Sequence, residues 1–148
     1  MKKRVLLAVG SVVCAISFSA HASEKTYVND AGCSVVAEQH ANGTVYYVQK
    51  AGDSVTVGVT KDAKSADFVY CSQKEIAVNS ISGPGGTGIM ISCSEHQNDH
   101  GITRGRVDLD LDSTGGVRSI SVDGQSKGFL GFWSQETKIV CNDLELKK

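Results

Sequence analysis

The chain lacks most of what common enzyme and nucleic-acid-binding classes need. Beyond residue 22 no segment repeats its apolar residues at helical spacing, which argues against helical bundles and folds with crossover helices. There is no C-x₂-C pair of the kind that builds a zinc ribbon. No Gly-x-Ser-x-Gly elbow is present, and the glycine-rich stretch Gly83-Pro84-Gly85-Gly86-Thr87-Gly88 lacks the Lys-Ser/Thr ending of a phosphate loop. That stretch holds the only proline of the chain, so it belongs outside any central strand and reads as a mobile connection. No apolar run of membrane-spanning length follows the amino-terminal one, and no linker or change of composition divides the chain.

The amino-terminal run has the three parts of a secretory leader. Lys2, Lys3 and Arg4 supply the positive end, Val5 to Phe18 is uncharged and apolar, and Ala20-His21-Ala22 offers the small residues a signal peptidase accepts. At 14 residues the apolar part is short for a membrane span, which takes about 20. Cys14 lies too deep in it, and behind too large a residue, Val13, to serve as a lipidation site. Cleavage after Ala22 is therefore expected, leaving residues 23–148 as one domain in the periplasm or outside the cell. The leader takes three of the 15 basic residues and none of the 16 acidic ones, so the remainder carries a net −4. That balance disfavours nucleic acid and anionic membrane surfaces. No stable membrane insertion is expected after cleavage.

Four cysteines follow the leader: Cys33, Cys71, Cys93 and Cys141. An even number in a small exported domain reads as two disulfides, because the compartment is oxidising. Four cysteines allow three pairings; chain order favours Cys33–Cys141 tying the ends together and Cys71–Cys93 bridging neighbouring strands, although the cysteine pattern alone leaves the choice open.

Short runs rich in Val, Ile, Thr and Tyr recur about every ten residues between Gly, Asn and Asp, the pattern of an all-β fold. Strands are expected at 33–39, 44–50, 54–61, 66–72, 75–82, 88–95, 103–112, 117–123 and 135–142. Val55, Val57 and Val59 alternate with polar residues, as do Ile120 and Val122. In Val107-Asp108-Leu109-Asp110-Leu111-Asp112 three aspartates occupy the face opposite the apolar residues. Asn42-Gly43 suggests a type I′ hairpin, and Gly52-Asp53, Thr114-Gly115-Gly116 and Asp123-Gly124 suggest further turns or a bulge. The expectation is an antiparallel meander of eight or nine strands, closed or nearly closed as a small barrel or packed as a sandwich. Cys33-Ser34 with Glu38 to Gly43, and Cys93-Ser94 with Glu95 to Gly101, form a weak internal echo that suggests a duplicated hairpin.

Three polar or aromatic groups are candidate sites. His96, Asp99 and His100 could hold zinc, copper or nickel, with His40 joining if the echo is structural; otherwise they form a solvated hairpin tip. Asp108, Asp110 and Asp112 alternate as in a calcium loop, but Ser113 and Ser119 stand where the turn glycine and bidentate glutamate belong. They read as a wet strand face that could meet a cationic partner. Gly128-Phe129-Leu130-Gly131-Phe132-Trp133 either plugs the end of the core or forms an exposed anchor, and Phe129, Leu130, Phe132 and Trp133 are the residues expected to meet a partner. No cofactor is implied. Catalytic residues are not identifiable, though carboxylate pairs acting on a glycoside leave no local motif.

The chain carries the motifs of no named family. A leader, a small β-meander and two disulfides form a general build shared with periplasmic inhibitors of lysozyme-type hydrolases, and fold alone does not assign function. The expected role is a soluble exported binding module, of inhibitor or immunity type, for a protein or small-molecule partner the sequence leaves unnamed. Metal binding through the histidine loop is the alternative.

Overall fold

The structure, a computed structural model, describes residues 23–71, 74–98 and 101–148; the expected leader lies outside them. Two antiparallel sheets pack face to face as a sandwich. The first is a meander of β1 (Ser23–Val28), β2 (Cys33–His40), β3 (Gly43–Lys50), β4 (Asp53–Thr60) and β5 (Ala66–Phe68). The second is a meander of β6 (Ala77–Gly83), β7 (Gly86–Asn98), β8 (Gly101–Asp112), β9 (Val117–Lys127) and β10 (Trp133–Cys141). A final strand, β11 (Glu145–Leu146), returns to the first sheet and pairs with β1. No helix among the described residues is long and apolar enough to cross a membrane.

The two sheets do not close into a barrel: each ends in edge strands, β11 and β5 in one, β10 and β6 in the other. The expected single meander is thus two, joined by one crossing between β5 and β6. The physical reason lies in that crossing. β5 stops after three residues, and Tyr70 carries the chain onto the opposite sheet. Its carbonyl accepts the Thr103 hydroxyl at 2.9 Å, and its own hydroxyl meets Thr137 Oγ1 at 2.6 Å. The ring lies on Gly124, where any Cβ would run into its carbons. Gly124 therefore serves close packing within β9 and makes no turn. The bulge in that region belongs to β10, between Gln135 and Thr137.

Period-2 alternation decides which residues fill the core. Val35, Val48, Val55, Val57 and Val59 face inward from the first sheet; Ile89, Ile91, Val107, Leu109, Ile120, Val122 and Ile139 meet them from the second. Both disulfides cross between the halves. Cys33–Cys141 joins β2 to the end of β10, and Cys71–Cys93 joins the crossing segment to β7. Cys71 and Cys93 are not on neighbouring strands, since Cys71 lies beyond β5.

The arrangement is reciprocal. In each half a cysteine on the second strand is bonded to one at or just past the end of the other half's fifth strand. Cys33 Sγ lies 3.6 Å from the Val140 carbonyl oxygen and Cys93 Sγ 3.2 Å from that of Tyr70, each the residue before the bonded cysteine. The echo in the sequence falls on corresponding places, since β2–β3 and β7–β8 are the second and third strands of their meanders.

Several local expectations are corrected. The Asn42-Gly43 hairpin forms, but its connecting residues, Ala41 and Asn42, keep negative φ, so the turn is not type I′; Ala51-Gly52, with φ of 52° and 89°, has that character. The stretch from Gly83 is a tight hairpin in which only Pro84 and Gly85 lie outside strand. β1 and β11 were not expected: β1 buries only Tyr27 and β11 has two exposed residues, too little apolar signal to read.

Candidate functional site

The β9–β10 hairpin is built to project. Its strands pair up to Lys127 and Trp133. Beyond them the Gly128 N–H donates to the Phe132 carbonyl at 3.0 Å, and the Gly131 N–H to the Gly128 carbonyl at 2.9 Å. Gly131 takes a φ of 88°, open to glycine at little cost. This compact tip turns its apolar side chains outward: Phe129 is 97 % exposed, Leu130 70 % and Phe132 74 %. They do not plug the core. From Gly128 to Gln135 the chain carries no charge.

The root is braced. Trp133 has the Arg104 guanidinium 4.1 Å from its ring centroid and the Lys127 ammonium at 5.5 Å, both within cation–π range. Arg104 Nε donates to Gln125 Oε1 at 2.7 Å, and Lys127 Nζ lies 3.3 Å from Glu95 Oε1. Gln135 Nε2 donates to Asp123 Oδ1 and to the Thr137 carbonyl, each at 2.7 Å, which holds the bulge beneath the hairpin. Arg104 and Lys127 escaped the sequence reading, because a cross-strand cation–π contact depends on a register no local motif records.

The three aspartates are engaged within the sheet. Asp108 accepts a bidentate pair of hydrogen bonds from Arg106 at 2.7 and 3.0 Å, and Asp110 one from Arg118 at 3.0 Å twice. These contacts raise the pKa of both guanidinium groups. Asp112 turns into the β8–β9 connection, where one oxygen accepts the Thr114 hydroxyl at 2.7 Å and the Gly116 and Thr114 N–H groups at 2.8 Å. The face is therefore a lattice of paired charges, and Asp112 organises a turn.

Those bonds, the Thr114 hydroxyl first, hold the Asp112 carboxyl below its ordinary range. A depressed carboxyl pKa stabilises the fold above the unfolded value and loses that contribution as pH falls through the folded one. Between about pH 5 and pH 2, Asp112→Asn should therefore show a shallower decline in urea midpoint than the unaltered chain. Parallel profiles would show that the turn does not depend on the carboxylate charge.

Of the expected metal ligands, Asp99 and His100 lie outside the described residues, as does the His96 side chain; the His96 backbone sits in β7 opposite Thr103. His40 Nε2 is bonded to Glu38 Oε1 at 2.6 Å in the other sheet. Among the described residues no three His, Cys, Asp or Glu side chains are grouped to hold a metal.

A recess between the sheets was not anticipated. This cleft of about 1000 Å³ has Tyr46, Val59, Ile89 and Leu111 among its lining, with Thr44, Ser80, Ser82 and Thr87 adding hydroxyls. Burial raises the Tyr46 phenol pKa. The cleft is formed by residues from both halves, so its existence depends on the sandwich and leaves no contiguous sequence signal. No family model, no curated protein and no solved structure matches the chain, and its function must be argued from these surfaces.

Proposed function

We propose that the chain is a non-catalytic binding module of the periplasm or extracellular space, which holds a protein partner with the β9–β10 hairpin tip. The observation that carries this reading is the exposure of Phe129, Leu130 and Phe132 together on one compact turn. Burying such a side chain against a partner contributes about 1.5–3 kcal/mol. The braced root means that little loop entropy is lost on contact. Two disulfides agree with an oxidising compartment. An inhibitor or immunity-type role suits this build, with a preformed apolar finger filling another protein's recess.

The test is site-specific photocrosslinking in the envelope and medium of cells producing the chain. A photoreactive residue in place of Phe129 should give a discrete protein adduct, lost when Leu130 and Phe132 are changed to serine. The same residue at Asp53, beside the β3–β4 turn, should not give it. Equal adducts from both positions, or none from position 129, would sink the proposal. Cosedimentation with lipid vesicles that depends on Phe129 and Phe132 would assign the tip to a membrane surface instead.

A further inference from the structure

We infer that β6 is a dimerisation edge, through which two copies of this chain join their second sheets by antiparallel pairing about a twofold axis. An edge strand presents unpaired N–H and C=O groups, and folded proteins usually protect such edges with shortness, charge, bulges or a covering segment. Three of the four edges here are protected in this way. β5 has three residues with exposed Asp67 among them, and β11 has two, including Glu145. β10 carries Glu136 at its bulge and Lys138 beyond it, and the Lys50 ammonium reaches the Val140 carbonyl at 3.0 Å.

Among the described residues β6 has none of these devices. It runs seven residues, Ala77–Gly83, in unbroken register with β7, and every one but the half-buried Val78 is exposed. No charged side chain occurs from Ile76 to Ser94. The reciprocal build of the two halves sharpens the contrast. β1, the first strand of its meander, has its outer edge covered by β11, whereas β6, the first strand of the other, is covered by nothing among the described residues.

A second copy is the occupant this edge fits. Across a twofold axis the strand must face itself, and an uncharged strand does so without like-charge repulsion. Because the remaining edges are protected, β6 is, among the described strands, the edge a second copy has to offer. A register centred on Ser80 places Ile81 opposite Asn79 of the partner subunit and buries the Ile81 side chain, which is 80 % exposed in the monomer. The contact is independent of the aromatic tip, which belongs to the hairpin joining β9 and β10.

Sedimentation of the exported, oxidised chain between about 1 and 100 µM tests the inference. A monomer–dimer equilibrium is expected. Ile81→Lys and Ile81→Glu should each weaken it by about tenfold or more, because the two copies of residue 81 are diagonal neighbours on one face. An equimolar mixture of the two variants should restore dimers, and their thermal melts as monomers should match, since the side chain is exposed. An unaltered chain that stays monomeric throughout would overturn the inference. So would a dimer that persists in both variants, or one lost on Phe129→Ala and Phe132→Ala but kept with Ile81→Lys.

Discussion

Replacing Phe68 by alanine should lower the unfolding free energy by about 3–5 kcal/mol, close to the largest loss a single core truncation produces. Phe68 is 2 % exposed and closes the short strand β5. Its ring meets Tyr70 edge to face, centroids 5.4 Å apart, and reaches the second sheet at Gly105, where an added Cβ would stand 2.6 Å from Phe68 Cε2. One ring thus fills the space between the sheets where the chain crosses from one to the other. Truncation leaves a cavity in that seam, and the seam cannot collapse easily, because Cys71 and the Tyr70 bonds hold it from the other side.

The same geometry yields a coupling. Gly105→Ala alone should destabilise by about 1–3 kcal/mol, since its methyl is forced onto the Phe68 ring. In the Phe68→Ala background that obstacle is gone, and the second substitution should cost less by at least about 0.5 kcal/mol. Urea unfolding of the four chains measures both effects. Strict additivity would show that residues 68 and 105 do not share the space assigned to them.

The second large effect concerns the disulfides. Cys33 and Cys141 are 108 residues apart, Cys71 and Cys93 only 22. In the loop-entropy account these closures remove about 5 and about 3 kcal/mol of freedom from the unfolded chain. Changing Cys33 and Cys141 together to alanine should therefore be the costlier loss, by about 1–2 kcal/mol. It also frees β2 from the end of β10, so the Lys50–Val140 contact and the Asn29–Asn142 bond at 2.8 Å should loosen with it. Equal urea midpoints for the two double variants, at equal slopes, would indicate that native-state packing around each bridge outweighs loop length.

Much of the strand content was readable from local pattern. Val55, Val57 and Val59, or Val107 and Leu109 beside Asp108 and Asp110, announce a half-buried strand because side chains alternate across a pleated backbone whatever the partner strand is. The even cysteines announced cross-links. The aromatic run at 129–133 was readable as a site by residue type, but whether its rings plug the core or stand in solvent was not. That outcome depends on how far β9 and β10 extend beyond the sandwich before turning.

The sequence by itself determined most of the strands, the inward face of most of those and the presence of two disulfides, because each follows from neighbours within a few residues or from a count. Only the tertiary structure decided that the meander divides into two sheets rather than closing. It also decided that Arg106 and Arg118 pair with Asp108 and Asp110, that Arg104 and Lys127 brace Trp133, and that no described residue covers the outer edge of β6. These are pairings between residues distant along the chain. They are set by register and by the crossing at Tyr70, which local composition does not encode.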